Sequence, residues 1–416
     1  MLVIVHARGQ VGTLRQAGGA LEFTYAPAWL ANPQALPLSP RLPLRPEPCS
    51  SDEVVFFFAN LLPEGPVLDT LLQLRRLPRG NLYRLLEAFG RECAGAFAIV
   101  PEEEAAAAAP VDRYRDYPRE TLIEDLARLR ENIPLLGSHA ELRLSLAGAQ
   151  NKIPVRYAEG RLWLPEGGAA STHILKPALQ PARLFPDSVL NEAFCLRLAG
   201  GIGLPVPAVT VLHDPEPLLL VERYDRHLVA GRIERLHQLD LCQIAGVLPA
   251  NKYEADGGPG YQQCFGLIDD WSAAPAVDRL QLVDWMLLNY LIGNADAHAK
   301  NLSMLYGTNG TLRLAPAYDL LATGYWKELN DQMAMKIGGE RRPARVQARH
   351  WQGFCEEAGL NPAQLRRRAL ELADRALALC ESIVVALGVP SALARHLEAS
   401  LQAGSERLQQ RLGVTE

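Results

Sequence analysis

The stretch that most constrains the fold is the apolar run "LQLVDWMLLNYLI" (280–292), followed directly by "GNADAHAKNLSMLYGTNGTLRLAPAYDLL" (293–321). As a helix, the first run is apolar on nearly every face and has to be buried. It then empties, across a glycine, into aspartate, asparagine, histidine and lysine. Buried polar groups without partners are costly, so something must occupy that cluster. "NLSML-YGTNG-TLRLAP" reads as a β-hairpin, two short alternating runs around a turn of Gly and Asn, residues that tolerate positive φ. Folding it back carries Asn301, just before the first strand, to Asp319, just after the second, with Asp296 one tight loop upstream. An Asp and an Asn presented together are hard oxygen ligands suited to Mg2+, and the other Asp is then free to orient or deprotonate a hydroxyl. The order of Asp, four residues, Asn, hairpin and second Asp is that of a protein-kinase catalytic loop and its metal-binding aspartate.

A kinase also needs a phosphate cradle and a lysine. "SLAGAQNK" (145–152) sits between two strand patterns, and its small residues let backbone N–H groups approach phosphate. It has a single Gly and does not match the Gly-rich kinase signature, so a plain hairpin turn is an equal reading. Lys176 in "HILKP" is a lysine inside an apolar strand, and a core-facing lysine needs a partner. Glu192 on the next helix is the natural one; the plainer reading puts Lys176 on the solvent face. "LLLVE" (218–222) leading to "RYD" (223–225) would link two lobes, with a backbone edge able to bond adenine.

The chain has 416 residues, 48% hydrophobic and 21% charged, enough for two or three cores. A net charge of −5 argues against gripping nucleic acid by bulk electrostatics. "LRRRALELADR" (365–375) is the best local basic candidate, although a solvated helix face with charge pairs is the favoured reading. Seven scattered cysteines without ligand spacing indicate reduced usage rather than a disulfide framework or zinc site. The start, "MLVIVHARGQVG", has no basic leader, and no apolar run reaches the length of a membrane span. The expectation is a soluble cytoplasmic protein with no membrane partner.

Composition shifts suggest four segments. Residues 1–101 mix short apolar runs ("LVIV", "LEFTY", "VVFFF") with Pro-rich turns and read as a small α+β subdomain. Residues 102–140 open acidic and Ala-rich and read as a connector, with helix in part of it an open reading. Residues 141–224 carry the strand patterns "ELRLSL", "KIPVRY", "RLWLP", "THILKPA" and "PLLLVERYD" around one helix, "SVLNEAFCLRLAGGIG". Residues 225–416 are mainly helical apart from the hairpin, with His237 and Asp240 expected to cap the first helix. The fold class is therefore α+β, a two-lobed arrangement with a cleft as the usual place for a ligand.

Taken together these motifs resemble the HipA-type serine/threonine kinase toxins over essentially the whole chain. "VGTL", "FFFANLLPEG" and "GRECAGAFAIVP" resemble that family's N-terminal unit; "SLAGAQNK", "ILKP", "ERYDR", "HQLDLCQ", "NADAHAKN" and "PAYDLL" resemble its kinase core in order. The resemblance implies a two-lobed protein-kinase-like fold with ATP and Mg2+ as cofactors. It implies Asp296 as catalytic base, Asn301 and Asp319 on the metal, and Lys176 on the ATP phosphates. It implies the phosphate loop at Ala147, Gly148, Ala149, Gln150, Asn151 and Lys152, and an adenine site at Glu222, Arg223 and Tyr224. Further ATP contacts fall on His298, Ala299, Lys300 and Tyr318. From the residues alone His298 and Lys300 could stabilise the transferring phosphoryl group or hold the loop, and a structural role is favoured for His298. Ser145 falls on the serine such kinases autophosphorylate as an off-switch. The implied partners are a small helix-turn-helix (HipB-like) antitoxin that carries the DNA contacts and a protein substrate in translation, notably an aminoacyl-tRNA synthetase. Asn151, where an acidic residue is frequent, and Leu239, where Glu is common, depart from the pattern without removing a catalytic group. A phosphotransferase with a small-molecule or lipid acceptor and an ATP-binding co-repressor are the alternatives.

Overall fold

The computed structural model describes residues 1–50, 52–78, 80–108, 113–131, 150–229 and 232–412. The chain passes repeatedly between two units. Met1–Pro177, Leu220–Pro249 and Leu305–Leu312 form the first, and Ala178–Leu219, Ala250–Met304 and Arg313–Glu416 the second.

In the first unit an antiparallel sheet runs in the order Ala20–Tyr25, Gly9–Ala17, Leu2–His6, Ala98–Pro101. Ile4 lies opposite Gly12 on one side and Ile99 on the other. The inner strand is buried at Leu2, Val3 and Ile4 on both faces, which is why "LVIV" reads as a continuous apolar run rather than an alternating one. A Cβ at position 12 would collide with the Thr24 carbonyl and the Phe23 ring, so only glycine lets the neighbouring strand lie this close. "VVFFF" is helical: it belongs to Asp52–Ala59, whose first turn carries Asp52 and Glu53 where the helix dipole favours negative charge. Phe58 packs 6.3 Å from Phe23, ring to ring, and so ties this helix to the sheet.

A second sheet is ordered Arg113–Asp116, Arg161–Glu166, Ile153–Ala158, His173–Lys176, Leu218–Glu222, the last three residues of Leu218–Glu222 belonging to this unit. Val155 pairs with His173, Ile153 with Leu175, and Arg156 with Trp163. The strands expected from "KIPVRY", "RLWLP", "HILK" and "LLLVE" are thus present, whereas "ELRLSL" lies outside the described residues. The segment read as a connector, with helix allowed in part, also holds an unexpected strand. Arg113–Asp116 pairs along Arg161–Glu166, with Asp116 opposite Trp163, and the helix Arg119–Arg130 follows. Charges along that strand suit a sheet edge that meets water.

Just past Leu218–Glu222, Asp225 is buried against two guanidinium groups. Arg223 donates to it from Nε at 3.0 Å and Nη2 at 2.7 Å, and Arg226 Nη1 approaches at 2.9 Å. Arg223 Nη1 also donates to Ser171 Oγ, and Arg226 Nε to the Ser171 carbonyl. Burial alone would raise the Asp225 pKa, but Arg223 and Arg226 outweigh it and hold the carboxyl well below the usual carboxylate range. A depressed folded pKa contributes stability that is fully present above the unfolded value of 3.8 and fades as pH falls below it. Asp225→Ala removes the buried carboxylate that Arg223 and Arg226 share and is expected to cost about 3–5 kcal/mol. Urea unfolding at pH 7 and pH 3 checks this: the gap between wild type and variant should narrow at the lower pH. A loss under about 1 kcal/mol at pH 7 would mean that the cluster is wet.

The chain from Leu220 to Pro249 packs with the N-terminal residues. His237 Nε2 donates to the Leu38 carbonyl at 2.8 Å, and its ring stacks on Tyr306 at 5.5 Å. Gln243 Nε2 donates to the Phe57 carbonyl, and Asn60 Nδ2 to the Val247 carbonyl. The expected boundary between 224 and 225 therefore falls inside one unit. His237 is a core histidine, not a cap. Asp240 does cap Leu241–Ala245: it accepts from Gln243 N at 2.8 Å while Gln243 Oε1 accepts from Asp240 N, a reciprocal capping box.

The second unit is mainly helical. Pro275–Ile292 starts with proline where the missing N–H is not needed, and ends at Gly293 with φ 69°. From Leu282 to Ile292 every residue is buried, because Tyr261–Trp271, Pro362–Leu387 and Ser391–Leu412 all pack on this helix. A Cβ on Gly404 would stand 3.0 Å from Leu291 Cδ2, so this contact between helices is a backbone approach. Leu280, half exposed, and Gln281, partly exposed, depart from the expected burial. Asp284 is answered by Arg368, which donates from Nε at 2.7 Å and Nη2 at 2.6 Å and also reaches Glu371 at 3.3 Å. "LRRRALELADR" is thus a helix face with charge pairs. All seven cysteines are buried free thiols. Among the described residues no helix is long and apolar enough to cross a membrane.

Candidate active site

The polar cluster after Gly293 is held by backbone and amide bonds rather than left open. Asn289 donates to the Trp285 carbonyl at 2.8 Å, and Asn294 Nδ2 donates to Asn289 Oδ1 at 2.8 Å. Asn294 Oδ1 then accepts from Asp296 N at 3.0 Å, turning the chain. Thr323 braces the other side: its Oγ1 accepts from Ala295 N and donates to the Gly293 carbonyl. Asn191 fixes the neighbouring segment by exchanging both bonds with the Ala322 backbone, at 2.8 and 3.1 Å. These partners explain how an apolar helix can end in polar residues without a desolvation penalty.

Within this frame the Asp296 carbonyl accepts from His298 N and from Asn301 Nδ2, each at 2.9 Å. Asn301 closes a one-turn 3-10 helix, Ala299–Asn301, and the hairpin strands Ser303–Tyr306 and Leu312–Leu314 follow. Ala315 N donates to the Ser303 carbonyl across the hairpin, which returns the chain toward Asp319. Tyr318 closes the base of this return, its hydroxyl meeting Ser303 Oγ at 2.7 Å and the Lys300 carbonyl at 3.0 Å. Asp319 has φ 52°, a left-handed conformation uncommon outside glycine and tolerated best by Asp and Asn.

The Asp296 side chain is 48% exposed, yet its carboxyl pKa is raised. Desolvation of the carboxyl group is the main cause and the Asp319 charge adds to it; a hydrogen bond from Tyr253 and the Lys252 charge oppose it. The Asp319 charge thus acts on this carboxyl from the far end of the hairpin. Tyr253 donates to Asp296 Oδ1 at 2.5 Å, and His298 Nε2 lies 3.7 Å from the same oxygen. His298 is buried with its ring edge-on to Tyr253 at 5.0 Å. Ala299 is fully buried, and Lys300 and Asn301 nearly so.

The remaining sequence candidates are placed as follows. Lys176 ends the strand His173–Lys176 and is buried, not on a solvent face. Glu192 is buried in the helix Ser188–Gly201. Gln150 Nε2 donates to the Pro177 carbonyl and Asn151 Nδ2 to the Leu129 carbonyl, both at 3.4 Å, and Lys152 is partly buried. Glu222 is exposed at its strand end and Tyr224 half-buried. The Arg223 side chain is committed to Asp225 and Ser171, and its backbone N donates to the Thr172 carbonyl at 2.9 Å. Ser145, Ala147, Gly148 and Ala149 lie outside the described residues.

Comparison with known proteins decides the family. Residues 2–100 match the HipA N-terminal domain, and residues 144–380 match the HipA-like C-terminal domain. The chain belongs to the HipA family. The serine/threonine-protein kinase toxin HipA of Shewanella oneidensis is 32% identical over 340 residues, which span 78% of this chain and 75% of that protein. The protein Y4mE of Sinorhizobium fredii, whose name describes a kinase, is 42% identical over 362 residues, 86% of this chain and 85% of its own length. A chain of the solved Shewanella oneidensis complex of HipA, HipB and operator DNA matches with TM-score 0.83 at 28% identity, over 99% of this chain and 98% of that one. The fold is accordingly the kinase-like α+β fold of HipA, and the chain is a HipA-type kinase toxin.

Sequence reasoning missed Tyr253, Lys252, Thr323 and Asn191 at this site. "KYEADGGPG" (252–260) offered a signal in its dense turn chemistry, but nothing in it says that the turn ends on Asp296.

Proposed function

We propose that this HipA-type kinase transfers the γ-phosphoryl group of ATP to a serine or threonine hydroxyl of a protein, with Asp296 as the base. The observation that carries this reading is the joining of Asp296 and Asn301 through the Asp296 carbonyl, with Asp319 close enough to act on the Asp296 carboxyl. In this reading the acceptor oxygen attacks the γ-phosphorus, its proton passes to Asp296, and the bond to ADP breaks. Asn301 and Asp319 would hold Mg2+. The donor chemistry fits: Asn301 Nδ2 is spent on the Asp296 carbonyl, which leaves its Oδ1 as an acceptor. Among the described residues no group of three or more His, Cys, Asp and Glu forms a metal cage, and Mg2+ needs none, since it keeps waters and takes phosphate oxygens. When bound, the ion would offset charge on the phosphate oxygens. Lys176 would meet the ATP phosphates, the 147–152 loop would cradle them, and the 222–224 backbone would bond adenine. His298 holds the loop in this reading, and Lys300 stays close to the phosphoryl group.

The regulatory setting follows the relatives. A HipB-like helix-turn-helix antitoxin would bind this chain and carry the DNA contacts, in a cytoplasmic pair whose released toxin phosphorylates a translation component such as an aminoacyl-tRNA synthetase. Autophosphorylation of Ser145 as an off-switch belongs to the same proposal and is supported by sequence alone. The test is radiolabelled ATP with purified chain and a cell lysate from which the antitoxin has been removed. A labelled protein carrying phosphoserine or phosphothreonine is the expected product. Label found only in small molecules or lipid would replace the protein acceptor with the alternative one.

A further inference from the structure

We infer that Tyr253 is a positioning residue for the catalytic carboxylate, its hydroxyl holding Asp296 Oδ1 so that Oδ2 is the oxygen presented to the acceptor. This rests on the reading of Asp296 as the base. The two are 43 residues apart in sequence, yet the phenol meets Oδ1 at 2.5 Å. A half-exposed aspartate can present either oxygen by rotating its carboxyl group, and a single donor on Oδ1 removes that ambiguity.

The loop carrying Tyr253 is built to hold one side chain still. Asp256 N and Gly258 N both donate to the Tyr253 carbonyl, at 3.0 and 2.9 Å, and Asn251 Nδ2 donates to the Asp256 carbonyl at 2.7 Å. A Cβ on Gly258 would overlap the Asn251 and Lys252 carbonyl groups, so the turn closes this tightly only with glycine there. Glu254 anchors the loop on its far side: its N donates to the Ala334 carbonyl, and its carboxylate accepts from Lys336 N at 2.6 Å and faces Lys336 Nζ at 3.4 Å. The Tyr253 ring is further wedged by the buried His298. Tyr253 therefore has its backbone, ring and hydroxyl all fixed, and the hydroxyl ends on the base.

Kinetics of the full chain with ATP and an accepted protein substrate test this. Tyr253→Phe should lower kcat roughly ten- to a hundredfold, the weight of a hydrogen bond to a charged group, while KM for ATP and the calorimetric ATP affinity stay near wild type. In an Asp296→Asn background the same substitution should cost nothing further, because residues acting as one unit are not additive. Tyr253→His, which retains a donor, should recover part of kcat. Wild-type kcat in Tyr253→Phe, a loss expressed in KM for ATP, or equal losses in both backgrounds would overturn the inference. Wild-type turnover in Asp296→Asn would instead overturn the base itself, and the two failures are thus distinguishable.

Discussion

Asp296→Ala is expected to lose about 10²- to 10⁴-fold of phosphoryl transfer, the usual weight of a general base, while ATP affinity changes little. The loop should survive the truncation. Asp296 is anchored through its backbone, with N donating to Asn294 and the carbonyl accepting from His298 and Asn301. Its side chain adds only the Tyr253 bond and the longer approach of His298. Deleting the carboxyl group thus removes chemistry and leaves Asn301 in place. Single-turnover phosphorylation with calorimetry on the same preparation separates the two effects. Near-normal turnover would sink the assignment.

Asp319→Asn should abolish the Mg2+-dependent tightening of ATP binding and lower turnover on the order of 10²- to 10³-fold, several kcal/mol of charge stabilisation. Asparagine is the informative replacement because the backbone there is left-handed at φ 52°, which Asn tolerates and Ala does not. An alanine variant would mix loss of a ligand with backbone strain. Titrating ATP with and without Mg2+ reads the first effect directly. If Mg2+ tightens ATP equally in wild type and variant, the hairpin does not put Asp319 on the metal.

The hairpin between these two residues was legible in the sequence because it is local: two short alternating runs around a turn of Gly and Asn require no long-range information. The buried helix before it was legible for the same reason, its apolar run having no polar face to offer solvent. Asp240 was legible as a cap, since a capping box spans only four positions. What failed was non-local. His237 has the sequence look of a cap neighbour, yet its ring is used by Leu38 and Tyr306, far away in both directions. Arg113–Asp116 is too charged to announce a strand, because an edge strand keeps its charges in water. Arg223 sits beside the expected adenine edge, but its side chain is drawn inward by Asp225, two residues on. Tyr253 could not be assigned at all without the fold.

The interleaving of the two units also sets an order of events during synthesis. Tyr306, the ring that stacks on His237, belongs to Leu305–Leu312, and the first unit lacks that segment until the ribosome has passed it. The second unit starts at Ala178 and covers its central helix only when Pro362–Leu387 and Ser391–Leu412 have emerged. Domains usually mature in the order they are translated; here neither unit can. A nascent chain therefore covers the helix that leads into the Asp296 loop only after Ser391–Leu412 has emerged, so more than a hundred residues beyond Asp296 have to be made before that loop gains its support.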